Sequence, residues 1–212
     1  GLYFMKLYQR RSYVIALEGG PDVEGTYAGM GASGISLRNA GNLLFLSGGR
    51  HRTGGKGSWE TVRSFAARHF PELPEGYAWA NQDCMTLDGL PYVGLFSPHT
   101  PDLYVATGFG AWGMTNSMAA ATLLADLVQG KKSPYAAVYT PSRSMLRPQL
   151  LSNLGHTVSN FLRLTPKRCS HMGCALKWNP AEHSWDCPCH GSRFTADGSV
   201  LDGPAQSRVD LS

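Results

Sequence analysis

Cys169-Ser170-His171-Met172-Gly173-Cys174 and Cys187-Pro188-Cys189-His190-Gly191-Ser192 are the two stretches on which the reading of this chain turns. Each brings one thiolate and one imidazole at metal-ligand spacing, with one further cysteine per box. Two soft sulfur ligands and two imidazoles suit tetrahedral zinc, or a [2Fe–2S] cluster in which two histidines replace two cysteines on one iron. A structural zinc site is complete at four ligands and leaves Cys174 and Cys189 without a task.

Residues 169–206 resemble a Rieske domain, through Cys-x-His-x-Gly-Cys, Cys-Pro-Cys-His-Gly-Ser-x-Phe, Asp197-Gly198 and Gly203-Pro204-Ala205. The resemblance implies a [2Fe–2S] cluster with Cys169 and Cys187 on one iron and His171 and His190 on the other. It also implies a Cys174–Cys189 disulfide between the loops, a Ser192 hydroxyl bonded to a cluster sulfide, and a covering loop at Gly203-Pro204. Phe194 stands where high-potential members carry a tyrosine, so one hydrogen bond to a ligand sulfur is absent. The expected potential therefore lies below the top of the roughly −150 to +300 mV Rieske range. Imidazoles on such a cluster are expected near the surface, as a proton-coupled exit for electrons.

Composition sets wider bounds. The 212 residues, 42% of them hydrophobic, can bury a real core in one or two domains. No apolar run approaches the length of a membrane span, and the N-terminus carries no signal-peptide pattern, so a cytoplasmic protein is expected. Net charge is +4, but the 19 Lys and Arg are scattered with no basic stripe, which argues against nucleic acid as a partner. Cys84, outside both boxes, reads as a small core residue.

Along the chain, residues 1–57 are strand-like, with Tyr13-Val-Ile-Ala-Leu17 an apolar run and 34–46 a hairpin turning at Asn39-Ala-Gly-Asn42. Residues 59–70 have helical spacing, with Ser58 placed to cap and Pro71 to stop. Residues 76–108 return to strands. Residues 114–129 form the strongest helix, and its stripe of Met114, Met118, Ala121 and Leu124 reads as core. A weaker helix lies near 148–162.

Two glycine patterns bear on nucleotide binding. Gly29-Met-Gly31-Ala-Ser-Gly34 lacks a preceding strand and reads as a turn. Gly108-Phe-Gly110-Ala-Trp-Gly113 lies between strand and helix, but no second strand or acidic ribose ligand follows it. Residues 86–143 instead resemble the C-terminal end of the FAD-dependent glycine/D-amino-acid oxidase (DAO) family. The resemblance rests on Asp88-Gly-Leu-Pro-Tyr-Val-Gly94, Tyr104-Val-Ala-Thr-Gly-Phe, Trp112-Gly-Met-Thr-Asn116 and Pro141-Ser-Arg143. Residues 1–85 resemble that family's sheet domain more loosely. The resemblance implies that Gly108, Gly110, Ala111, Trp112, Gly113 and Met114 meet a flavin ring, with the helix N-terminus stabilising charge on it.

The expected fold is α+β. A mostly antiparallel sheet domain with a flavin-facing helix spans 1–143, a linker 144–167 packs on both domains, and an all-β Rieske domain spans 168–212. No fingerprint for the ADP half of FAD is present, so the chain reads as part of a longer flavoprotein and as inactive alone. Arg38, Arg50 and Arg52 are candidates to bind a substrate carboxylate, with Tyr92 beside them. His51, His69, His99, His156 and His183 assemble no mononuclear iron site with a carboxylate, which disfavours a Rieske oxygenase. The resulting expectation is an FAD-linked amine or amino-acid dehydrogenase exchanging electrons through the cluster with an external one-electron donor or acceptor. The alternative is a non-catalytic Rieske electron carrier whose β domain docks a redox partner.

Overall fold

The computed structural model describes residues 2–30 and 34–211. The centre of the first glycine pattern, Gly31-Ala32-Ser33, lies outside the described residues. A short helix α1 (Tyr3–Lys6), absent from the sequence reading, leads directly into β1 (Leu7–Glu18). β2 (Thr26–Ala28), β3 (Ser36–Ala40), β4 (Leu43–Arg52), α2 (Glu60–His69) and β5 (Glu75–Thr86) follow. The strands form one antiparallel sheet of order β2-β3-β4-β1-β5, in which the long β1 pairs with β4 on one side and β5 on the other. Asn-Gly-rich sequence closes the β3–β4 hairpin at Gly41-Asn42, with Gly41 at φ 58°, a backbone that glycine adopts without steric cost.

Alternation gives this sheet two different faces. Tyr13, Ile15, Leu17, Leu44 and Leu46 point to one side, where Val62 and Ala66 of α2 seal them into a core. The Ser58 hydroxyl accepts the Glu60 N–H, so it supports the first turn of α2 although the cap position itself is Trp59. Ser12, Val14, Phe45, Ser47 and Trp79 belong to the other face, which borders an open cleft.

β6 (Tyr92–Leu95) and β7 (Tyr104–Thr107) form a hairpin on which α3 (Gly113–Val128) and α4 (Ala136–Tyr139) pack. The face that α3 buries carries Ala120 and Leu123, with Leu124 and Leu127 beside them. The core reading of Met114, Met118 and Ala121 is therefore overturned: Met114 is 88% and Met118 71% exposed, and Ala121 is exposed too. The helix is apolar on two faces, and the hairpin covers one of them.

α5 (Pro148–Phe161) touches both halves. Its Asn153 accepts from Arg52 at 2.8 Å and donates to the Met5 carbonyl, while the Asn160 carbonyl accepts the Ala175 N–H. The remaining chain forms β8 (Lys177–Asn179), β9 (Ser184–Asp186), β10 (Arg193–Phe194) and β11 (Val200–Asp202), an antiparallel sheet of order β11-β10-β9-β8. The whole is α+β, with antiparallel sheets throughout. Among the described residues no helix is long and apolar enough to cross a membrane.

The two sheets are docked by charge. Arg11 on β1 pairs with Glu182 across the interface, and only 2% and 9% of these side chains is exposed. Glu182 also pairs with Arg193 at 2.6 Å, and Arg193 with the fully buried Asp186 at 3.0 Å. Gln82 on β5 donates to the Gly191 carbonyl and to Asp202, both at 2.9 Å. Gly191, at φ 84°, lies so close to Gln9 that a Cβ there would meet the Gln9 side chain at 2.2 Å.

Candidate functional site

Two loops of matching construction hold the Cys and His residues. The Gly173 N–H donates to the Cys169 carbonyl and the Gly191 N–H to the Cys187 carbonyl, four residues back in each case. Both glycines have positive φ, 75° and 84°, which closes each loop without a Cβ clash. Cys174 and Cys189 form a disulfide that ties the loops together. The sulfurs of Cys174, Cys187 and Cys189 converge. Two of these sulfurs are bonded to each other, which removes them as thiolate ligands.

Cys169 and Cys187 are the buried free thiols of the loops. Cys169 Sγ accepts from the Cys187 thiol, from the backbone N–H groups of His171 and Met172, and from the Ser192 hydroxyl. These donors lower the Cys169 pKa to about 6, with the Cys187 bond the largest cause, and the same shared proton pushes Cys187 up. The pair thus presents a stabilised thiolate, the form that binds metal. Ser192 Oγ also accepts the Ala205 N–H at 3.1 Å, so it connects the thiols to the loop at Gly203-Pro204.

The imidazoles of His171 and His190 stand perpendicular, with ring centroids 5.1 Å apart. Burial, then His171 and Arg52, lowers the His190 pKa to about 4, which keeps this ring neutral at pH 7 with a lone pair free. Among the described residues, the buried side-chain nitrogens and oxygens without a hydrogen-bond partner are His171 Nδ1, His190 Nδ1 and His190 Nε2. Buried polar atoms are rarely left unpaired, so this concentration of free nitrogen positions on two rings fits a pair of metal-ligating imidazoles. Two thiolates and two imidazoles fit a [2Fe–2S] cluster.

The surface exposure expected of these imidazoles is not found at His190, which is only 7% exposed. α1 covers it, with the Phe4 ring edge-on at 6.1 Å. Between the sheets lies a cavity of about 410 Å³. His171, His190 and Pro204 line one side of it, and Phe4, Cys84 and Thr107 the other. Cys84 is half-buried rather than core, its thiol 3.9 Å from the Thr107 hydroxyl, while its carbonyl accepts the Gly110 N–H at 3.1 Å. The glycine turn between β7 and α3 is thereby fixed against the strand that lines the cavity.

That turn has positive φ at Gly108 (77°), Gly110 (58°) and Ala111 (70°), the last an uncommon conformation for a residue with a side chain. A Cβ on Gly108 would meet Thr86 at 2.2 Å. Trp112 and Met114 stand exposed where α3 begins, and its first N–H groups point outward, as at any helix N-terminus. This suits the ring end of a flavin.

Ala111 and Trp112 also close one end of the sheet cleft, a space of about 310 Å³. Arg38 and Arg50 both line it. Arg52 does not: its guanidinium stacks 4.9 Å over Tyr8 and bonds to Pro188 and Asn153, so it serves the interface. Tyr92 is buried on β6 beneath the Arg143 guanidinium at 3.8 Å and is likewise remote from the cleft lining. The sequence reading passed over Asp83, which lines the cleft from β5. Its signal was the alternation Trp79, Asn81, Asp83 on one strand face.

Comparison with known proteins finds two families along this chain. The FAD dependent oxidoreductase family matches residues 2–127, and the Rieske [2Fe-2S] domain matches residues 154–211. The chain is 35% identical to the putative Rieske 2Fe-2S iron-sulfur protein YhfW of Bacillus subtilis, over 97% of this chain and 50% of that protein. A cytochrome b6-f complex iron-sulfur subunit of Nostoc is 57% identical over 37 residues, 18% of this chain and 21% of that subunit. The chain thus spans about half the length of YhfW and less of that subunit. Its fold is similar to glycine oxidase from Geobacillus kaustophilus, with TM-score 0.56 and 21% identity over 66% of this chain and 40% of that one. Iminodiacetate oxidase from Chelativorans gives TM-score 0.52 and 19% identity, over 64% of this chain and 40% of that one. The family match covers more than half of the residues, and the chain belongs to the FAD dependent oxidoreductase family and carries a Rieske [2Fe-2S] domain.

Proposed function

We propose that this chain is the substrate-binding and electron-relay portion of an FAD-linked amine or amino-acid dehydrogenase whose nucleotide-binding portion lies outside these 212 residues. In this reading Cys169 and Cys187 hold one iron and His171 and His190 the other, with Ser192 and the Gly203-Pro204 loop packed around them. When bound, the flavin supplies a two-electron hydride acceptor and the cluster a one-electron carrier. Gly108 to Met114 shape the surface against the ring, and Arg38 and Arg50 orient the substrate. The sheet face beneath keeps water from the reacting carbon. Electrons pass to an external one-electron acceptor, in a protein expected in the cytoplasm.

The observation that carries this reading is the cavity that joins the cluster histidines to Cys84 and Thr107, the strand ends beside the glycine turn. Its walls are the cluster histidines and the strand that fixes the glycine turn. An isolated carrier needs no such shared wall, because its cluster edge must stay open to a partner. The exposed apolar face of α3 supports a further portion of the flavoprotein packing there.

Anaerobic addition of the substrate amine to the full-length protein tests the reading. Bleaching of the flavin absorbance should be followed by the rhombic EPR signal of a reduced His₂Cys₂ cluster. The chain of 212 residues should give that signal with dithionite and not with amine. If the full-length protein never takes up FAD, the electron-carrier reading replaces this one.

A further inference from the structure

The cleft has charge of both signs: Asp83 on β5, Arg38 on β3 and, on β4 between them, Arg50. Asp83 precedes Cys84, whose carbonyl holds Gly110 of the turn, so its carboxylate belongs to the end that Ala111 and Trp112 close. Among the described residues the Asp83 side chain makes no hydrogen bond or ion pair, although Arg50, Arg11 and Arg10 lie within its field. Burial raises its pKa against the pull of those arginines, as for a carboxylate that lacks a close counter-ion. Arg38 lines the same cleft from β3, and its guanidinium rests 4.9 Å over the Phe45 ring with no hydrogen bond among the described residues. In the order β3-β4-β1-β5, the strands of Arg38 and Asp83 are three spacings apart. At 4.7–4.9 Å per spacing that is about 14 Å between backbones, shortened by the reach of the arginine.

We propose that Asp83 anchors the ammonium group of the substrate and Arg38 an anionic group at its other end, so the substrate is an amine whose acid function lies several bonds away. An α-amino acid carries both charges on one carbon and cannot meet both anchors. This inference rests on the cleft being the substrate site, as proposed above. It places the amine at the end where the glycine turn stands, next to the reacting carbon, and uses the remote charge to set register. A carboxylate at the reactive end also rejects a substrate that presents its own carboxylate there.

Tryptophan fluorescence reads the cleft directly, because Trp79 and Trp112 line it. The chain would be titrated with 6-aminohexanoate, hexanoate, hexylamine and glycine. We expect 6-aminohexanoate to bind about tenfold or more tightly than each of the others, as a charge-assisted hydrogen bond gives. Asp83→Asn should reduce it to the affinity of hexanoate while leaving hexanoate unchanged or tighter, and Asp83→Glu should restore much of the difference. Arg38→Gln should reduce it to the affinity of hexylamine. If glycine binds as tightly as 6-aminohexanoate, or Asp83→Asn binds every probe like the parent, the charge assignment falls and the cleft remains the substrate site. If no probe alters the fluorescence, the cleft assignment and this inference fall together.

Discussion

The two domains reach stability by different means. In the sheet domain, Tyr13, Ile15, Leu17, Leu44, Leu46 and Val62 form an apolar core between a sheet and a helix. In the Rieske domain the corresponding cluster is largely the four cysteines with Phe194, Leu176, Ala205 and Val209. Its other buried groups are mostly polar: Asn179, Ser184, Ser192, Asp186, Arg193 and, across the interface, Arg11 with Glu182. A domain this small cannot bury enough apolar surface alone. It is held by a disulfide, by its metal ligands and by a polar core that extends into its neighbour. The larger domain supplies Arg11 to that core, so the interface belongs to the Rieske fold.

Glu182→Gln is the most severe test of that contrast. It removes one charge and leaves Arg11 and Arg193 buried without it, which for a buried pair costs about 3–5 kcal/mol. We expect urea unfolding to split into two transitions, cluster absorbance being lost before the far-ultraviolet signal of the sheet domain. A single transition at the parent midpoint would mean that the interface carries no such weight. Leu46→Ala, in the fully buried sheet core, should cost about 2–5 kcal/mol and act in the opposite sense. The sheet domain would melt first, with the cluster absorbance retained longer.

The same contrast explains what could be read from sequence. The proposed cluster ligands lie within 22 residues and are chemically rare, so residue types alone put forward Cys169, His171, Cys187 and His190. α2, α3 and α5 were visible as periodicity, and the β3–β4 hairpin as an Asn-Gly turn between apolar runs. The cleft was not visible. Arg38, Arg50, Asp83 and Trp112 come from three strands and a turn, and only sheet order brings them together. Ordinary residue types at ordinary spacing carry no such signal, so the sequence does not separate Arg52 and Tyr92 from Arg38 and Arg50. The exposure of the α3 stripe is hidden from the sequence for a related reason. Periodicity reports that a face is apolar, not what covers it.

Tyr13 joins the two regions and makes their coupling depend on pH. It is fully buried in the sheet core, while its hydroxyl lies 3.2 Å from His51 Nε2 and near Asn179 and Glu182 of the Rieske domain. Burial, the largest cause, raises its pKa to about 12. The folded state therefore favours the protonated phenol over an unfolded value of about 10. That stability is complete below pH 10 and is lost as pH rises toward 12, by up to about 2–3 kcal/mol. Comparing the parent with Tyr13→Phe between pH 8 and 12 isolates this contribution. The stability difference between them should narrow with rising pH, and a difference that stays constant would remove Tyr13 from the coupling.

The smallest effects are confined to the cluster loops and test whether their polar contacts tune potential rather than hold the fold. Ser192 has no exposed surface; its hydroxyl donates to Cys169 Sγ and accepts the Ala205 N–H. Hydrogen bonds to cluster sulfurs favour the reduced, more negative state. Ser192→Ala should therefore lower the potential by about 20–65 mV, the one-electron equivalent of a 0.5–1.5 kcal/mol bond. Phe194 is fully buried in the same cluster of cysteines. Phe194→Tyr should raise the potential by a similar amount if its hydroxyl reaches a ligand sulfur, with cysteine ligation unchanged by EPR. Protein-film voltammetry of the two variants gives opposite shifts if sulfur hydrogen bonding sets the potential. Shifts of the same sign would trace the change to altered packing around the loops.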